Sequence, residues 1–384
     1  MHFDWIHDLD LVDHHCHGVL ERDIDRPGFE DLITESDRPS PSGTTFFDTQ
    51  LGFMIRRYCA PLLGLPAFAD PEHYLERRSE LGASEVNRRL LTGHGYETLL
   101  IETGHRGDEI LGPTEMGERS EATAVEVVRL ERIAEELVEA GVAAEDFRSA
   151  FATELTERLR TAVGVKSIAA YRIGLDFDPE RPTAQVVDGA LDEWFGRLSR
   201  QKTVRLDDAR IIRHLIWEAI DHAVPIQFHI GYGDPDVDLH RCNPLLLTEL
   251  LRLSRDSGAK IMLLHCYPYH REAGYLAHCF EHVYADVGLA INYTGAQSAQ
   301  VIAESLELTP FHKALFSSDA WGAAELYSLG AILFKGGLDT VLASWADNHG
   351  WPEDELHRVA KMISADNARR AYGLNRREAT VPSE

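Results

Sequence analysis

Four short apolar runs in the second half of the chain, at 225–230, 260–266, 283–289 and 314–318, each follow a stretch of helical periodicity. Those stretches lie at 207–222, 244–257, 272–282 and 299–304. Buried strands alternating with amphipathic helices mark a parallel sheet, because parallel neighbours need a long crossover and a helix supplies it. The first half repeats the pattern less regularly. It has a strand ending near Gly18, further runs at 96–103, 124–132 and 163–171, and helices at 146–162 and 190–198. In the first of these helices Phe147, Phe151, Leu155 and Leu159 recur every four residues, the spacing of one helix face. Eight strands separated by helices predict an α/β fold of the (β/α)8 TIM-barrel type. A doubly wound open sheet is the alternative, but the chain lacks the Gly-x-Gly-x-x-Gly turn that such sheets use for dinucleotides.

Residues 19–92 interrupt this alternation and are too long for a structureless connection. They predict a mainly helical insertion after the first strand, distorting the barrel and covering the mouth of that strand. The whole chain, 1–384, is expected to be one barrel domain with a polar tail at 376–384. The net charge of -25, from 38 basic and 63 acidic residues, disfavours nucleic acid or an anionic membrane as partner. A small-molecule substrate is the partner to expect. Five cysteines with no Cys-x-x-Cys pair, and acidic residues where a signal peptide would be basic, point to a cytoplasmic protein with reduced thiols. A homo-oligomer is the default for a soluble enzyme.

The chemistry concentrates at strand ends. In Asp13-His14-His15-Cys16-His17, alternation puts His15 and His17 on one face of a strand, with Asp13, and turns His14 and Cys16 to the other. Two imidazoles so placed can grip one metal ion. The fifth strand ends at His229, the sixth at His265 and the eighth at Asp319. Taken singly, a histidine near a strand end is more often a hydrogen-bonded core residue, and an aspartate after a strand more often a helix cap. Taken together, all five converge, because the C-terminal ends of barrel strands open onto one face.

These residues resemble the metal-dependent amidohydrolase superfamily. The likeness is nearest to the branch that occurs alone in bacteria and fused to glutamine-synthetase-like domains in fungi and plants. It rests on Asp13 to His17, Gly164-Val165-Lys166-Ser167, Tyr171-Arg172-Ile173-Gly174-Leu175 and Phe228-His229-Ile230-Gly231-Tyr232-Gly233-Asp234. It continues through Asn243-Pro244-Leu245-Leu246, His265, Ser318-Asp319 and Asp366-Asn367-Ala368-Arg369-Arg370. The likeness is strongest from Gly164 onward and weakest in the insertion.

The resemblance implies His15, His17 and His229 as metal ligands and Asp319 as ligand and proton acceptor. His265 would be an acid/base or a ligand to a second metal. The ion expected is divalent, Zn²⁺ first and Mn²⁺ second. In two-metal members a carbamylated lysine of the fourth strand bridges the ions. Lys166 lies on that strand but well before its predicted end at Tyr171-Arg172, so one ion is expected and Lys166 reads as a buried lysine paired with a carboxylate. Arg172 is the candidate clamp for a substrate carboxylate, its alternative being a structural salt bridge. Tyr171 would line the wall, and Asp234 would meet a substrate amino group. Cys16 and Cys266 should point away from the site. The function implied is hydrolysis of a C–N amide bond in a small carboxylate-bearing molecule, γ-glutamyl amides foremost. A decarboxylase, a uronate-isomerase-like enzyme and a non-catalytic metal-binding scaffold are the alternatives.

Overall fold

The computed structural model describes residues 2–198 and 203–374; the predicted tail at 376–384 lies outside them. Seven strands pair in chain order, every pair parallel. They are β1 (Leu11–Cys16), β2 (Tyr96–Glu102), β3 (Thr123–Arg129), β4 (Gly164–Ser167), β5 (Pro225–His229), β6 (Lys260–Leu264) and β7 (Val283–Ala285). Helices occupy the connections, as the alternation requires.

The predicted eighth strand is not a regular strand. Only Ala314 forms a bridge, to Ala285. The segment nevertheless joins β7 to β1: Leu315 N donates to Ala285 O (3.0 Å), His14 N to Phe316 O (3.1 Å) and Asp319 N to His15 O (3.1 Å). The ladder is interrupted because Ser318 gives its backbone N–H and its hydroxyl to the Asp13 carboxylate, at 3.0 and 2.5 Å. A TIM-like barrel, distorted at this closure, is the result.

The two strands that fall furthest short of their predicted ends do so for one physical reason. Apolarity carries the run 163–171 onward, but β4 stops at Ser167 and a short helix, Ala169–Arg172, follows. The Glu131 carboxylate accepts from Ser167 Oγ (2.7 Å) and from Ile168 N (3.0 Å), removing that N–H from the ladder. Likewise 283–289 divides into β7 and the helix Gly288–Thr294, because Asp286 captures Gly288 N at 2.7 Å. Side-chain acceptors that compete for backbone donors terminate strands.

Inside the barrel, beneath the strand ends, Val12, Leu100, Val127, Met262, Leu264 and Leu315 cluster with Tyr372 of the helix Asn367–Tyr372. Each such apolar side chain contributes on the order of 1.5–3 kcal/mol by leaving water. A polar chain crosses this floor: Gln227 Nε2 donates to Tyr372 Oη (2.9 Å), which bonds His14 Nδ1 (3.0 Å), and His14 Nε2 donates to Asp286 (2.8 Å). The barrel axis is therefore closed below the site.

The insertion is helical, as expected, with its longest helices at Pro71–Leu81 and Ala83–Leu91. It shares one core with the helix Ala324–His349: Phe29, Phe47, Leu51, Tyr74 and Leu90 pack with Leu326, Tyr327 and Leu329. That 26-residue helix is long and apolar enough to cross a bilayer, but 83% of its most apolar window is buried inside the protein. It is a core helix. One buried polar group fastens the insertion to it: the Glu325 carboxylate accepts from Tyr74 Oη (2.7 Å) and Arg78 Nε (2.7 Å).

Candidate active site

Side chains from five of the strand ends meet above this floor. His15 and His17 leave the end of β1, and Asp319 leaves the closing segment. Ligand atoms of these three lie within 4.8 Å of one another. The Asp319 Oδ1 atom is 3.0 Å from His15 Nε2 and 3.7 Å from His17 Nε2, while Oδ2 faces His265 Nε2 at 3.7 Å. The carboxylate thus addresses the His-x-His pair with one oxygen and His265 with the other. Local backbone geometry achieves this. Asp319 and His265 are both non-glycine residues in the left-handed region, at φ 51° and 41°, which aims each side chain inward just past its strand. Gly18, closing the His-x-His motif, is needed for a different reason: a Cβ there would sit 2.0 Å from Leu111 O.

Tautomers are set from outside the cluster. His17 Nδ1 donates to Glu102 O (2.9 Å) and His265 Nδ1 to Ile230 O (3.1 Å), so each presents a bare Nε2 to the centre. Burial and the neighbouring Lys166 ammonium push His15 down to about 3, keeping its imidazole neutral. Burial likewise holds His229 well below the usual histidine range. Burial opposes ionisation of Asp319, yet His265, His15 and His17 around it hold its carboxyl well below the usual range.

These residues fit a metal ion. Among the described residues His229 Nε2 and His265 Nε2 are both buried without hydrogen-bond partners, an arrangement costly unless something else meets them. With N- and O-donor bonds near 2.05 Å, a tetrahedral site separates its ligand atoms by about 3.3 Å. The two Asp319–histidine distances bracket that value. His229 stands slightly apart, outside the three-residue cluster, its ring centroid 4.4 Å from that of His265.

Other expected residues divide. Lys166 is corrected: because β4 ends at Ser167, it lies one residue from the strand end, and its Nζ is 2.9 Å from His15 Nε2 rather than on a carboxylate. Tyr171 is in the wall, its ring centroid 4.4 Å from that of His229. Asp234 sits on the loop after β5, accepting from Asp236 N at 2.9 Å. Arg172 takes its structural alternative, with Nη2 on Glu135 at 3.1 Å, because the helix Ala169–Arg172 turns it toward the helix Leu130–Glu139. Asp13 does not join the ligands although alternation groups it with them. A register irregularity between Asp13 and Cys16 breaks the alternation, and Asp13 is held by Ser318. Cys16 and Cys266 do point into the outer cores, where burial raises both thiols well above their ordinary range.

Several site residues escaped the sequence reading. Glu102 ends β2 and Arg129 ends β3; their buried side chains pair with Arg129 Nε 3.0 Å from Glu102 Oε1. Burial works against Glu102, but Arg129, His17 and Lys166 hold its carboxyl far below the usual range. Polar residues ending apolar strands were the signal, the same one that marked His229. Asp286 accepts from His265 N (2.9 Å) and Ser317 Oγ (2.8 Å), tying three loops together. Glu35, on the insertion and within electrostatic reach of Asp319, is marked by nothing in the local pattern.

A model of the amidohydrolase family matches residues 12–374, and the chain belongs to that family. In architecture it is similar to a protein of Lactobacillus casei described as a candidate metal-dependent hydrolase. The two are 29% identical with a TM-score of 0.81, covering 96% of each chain. A uronate isomerase of Bacillus halodurans shares the fold, at 15% identity and a TM-score of 0.65 over 97% of this chain and 95% of that one. Protein fluG of Emericella nidulans is 30% identical over 229 residues, 56% of this chain. The match spans about a quarter of that protein's length (26%). Family and site together support metal-dependent hydrolase chemistry.

Proposed function

We propose that this protein hydrolyses the C–N amide bond of a small carboxylate-bearing molecule, with γ-glutamyl amides the class to test first. The observation that carries the hydrolytic reading is Asp319, whose two oxygens face the His15–His17 pair and His265 separately. A divalent ion held by His15, His17 and Asp319, with His229 beside them, would supply Lewis-acid activation of water and of the carbonyl. Asp319 takes the proton of the attacking water and returns it to the departing amine. His265, neutral and bonded through Nδ1 to Ile230 O, keeps Nε2 aimed at the reacting centre. The γ-glutamyl class follows from the resemblance to the branch fused to glutamine-synthetase-like domains, a fold-level analogy. The Arg172 clamp does not support it, since that guanidinium is paired with Glu135.

The test joins metal content to product release. One Zn²⁺ or Mn²⁺ per chain is expected in protein purified without added metal, lost in His15→Ala and kept in Lys166→Ala. Amine or ammonia release from a panel of γ-glutamyl amides should depend on that ion. Two ions per chain, with one lost in Lys166→Ala, would replace the single-metal site by a lysine-bridged pair. Carbon dioxide or a ketose as product would transfer the protein to the decarboxylase or isomerase reading.

A further inference from the structure

Above the metal-binding residues the insertion delivers one carboxylate into an aromatic wall. Glu35 follows the helix Arg26–Asp31 and bonds the hydroxyl of Tyr293. Tyr293 belongs to the helix Gly288–Thr294, and its ring lies 6.0 Å from that of Tyr232 at an interplanar angle of 73°. The Tyr232 hydroxyl is buried and, among the described residues, has no hydrogen-bond partner. Tyr171 closes the side toward His229, and a Cβ at Gly233 would touch its hydroxyl at 2.1 Å, so the wall has no slack. Asp234 supplies a second carboxylate within electrostatic reach of Glu35.

What this group lacks is a paired cation: Arg205 lies within electrostatic reach of Asp234 but faces Asp236 at 3.5 Å. The chain has 38 lysines and arginines, and many of the described carboxylates find one, yet among the described residues neither Glu35 nor Asp234 has a salt-bridge partner. Burial, followed by the like charges of Asp319 and Asp234, raises Glu35 to about 7. Carboxylates beside tyrosine faces, with an unpaired hydroxyl among them, are the chemistry that recognises an ammonium group.

We propose that Glu35, Tyr293, Tyr232, Tyr171 and Asp234 form a subsite for a primary ammonium group of the substrate, next to the hydrolytic centre. In a γ-glutamyl amide that group is the α-ammonium; to this extent the assignment rests on the proposed function. The insertion thereby completes the site, because its Glu35 supplies the charge that the barrel strands do not. Substrates lacking the amino group would leave Glu35 unpaired and would be discriminated against.

The probes are n-butylammonium, with butanol as its uncharged counterpart, titrated by ligand-observed NMR into the metal-loaded protein. Glu35→Gln and Asp234→Asn serve as variants, with thermal unfolding to confirm that each is folded. We expect butylammonium to bind the wild type about tenfold more tightly than Glu35→Gln, and Asp234→Asn to weaken it in the same direction. Its affinity should rise with pH as Glu35 ionises, because the binding form of Glu35 is the carboxylate and burial raises that group above its usual range. The groups facing it are Tyr293, Tyr232, Tyr171, Asp234 and Asp319, and an alkylammonium stays protonated throughout. Equal binding by wild type and Glu35→Gln, or butanol binding as well as butylammonium, overturns the subsite even if γ-glutamyl amides are hydrolysed. Selective butylammonium binding with no turnover of those amides keeps the subsite and discards the γ-glutamyl assignment.

Discussion

Asp319→Asn is expected to lower kcat by about 10²–10⁴-fold at equal metal loading, the range for loss of a positioned proton acceptor. The substitution preserves shape, so the left-handed backbone at residue 319 and its N–H bond to His15 O should persist. What it removes is the negative charge that His15, His17 and His265 surround. Metal affinity should fall too, since a neutral amide is a poorer ligand than a carboxylate. Steady-state rates on protein saturated with Zn²⁺, with bound metal measured on the same sample, separate the two effects. A kcat within tenfold of wild type at full occupancy would remove Asp319 from the proton-transfer role and leave it a ligand only.

Arg78→Met should destabilise the protein by about 3–5 kcal/mol, although residue 78 lies on the insertion and takes no part in the chemistry proposed. The cause is the carboxylate left behind. Glu325 is fully buried, and Arg78, itself 6% exposed, gives it two guanidinium bonds at 2.7 and 3.3 Å. Without the guanidinium, Tyr74 Oη alone remains to stabilise that buried charge. Urea unfolding at fixed metal concentration measures the loss. Adding Glu325→Gln should recover part of it, because the pair is coupled and its members are not additive. A loss under about 1 kcal/mol would mean that water reaches Glu325 and that the insertion is fastened by its apolar contacts alone.

The sequence by itself determined the barrel and which residues converge at its candidate site. Periodicities of 2.0 and 3.6 are local properties, so β2, β3, β5 and β6, and the helices flanking β5 and β6, were readable within a few residues. His15, His17, His265 and Asp319 could be placed because a parallel barrel sends every strand end to the same face, whatever the separation in sequence. Where strands stop was a different matter. Glu131 ends β4, Asp286 ends β7 and Asp13 interrupts the closing segment, each by taking backbone donors from residues distant in the chain or across a turn. The Asp286 capture spans only two residues, but those by Glu131 and Asp13 join segments 37 and 305 residues apart, which no local pattern encodes. They decided that Lys166 faces His15 and that Arg172 turns away to Glu135. Glu35 is the extreme case: a polar residue in an irregular stretch, brought to the site only by the packing of Phe29 and Ile33 into the shared core. Local hydrophobic pattern specifies elements and their faces, whereas long-range acceptors and insertion packing specify where each side chain finally points.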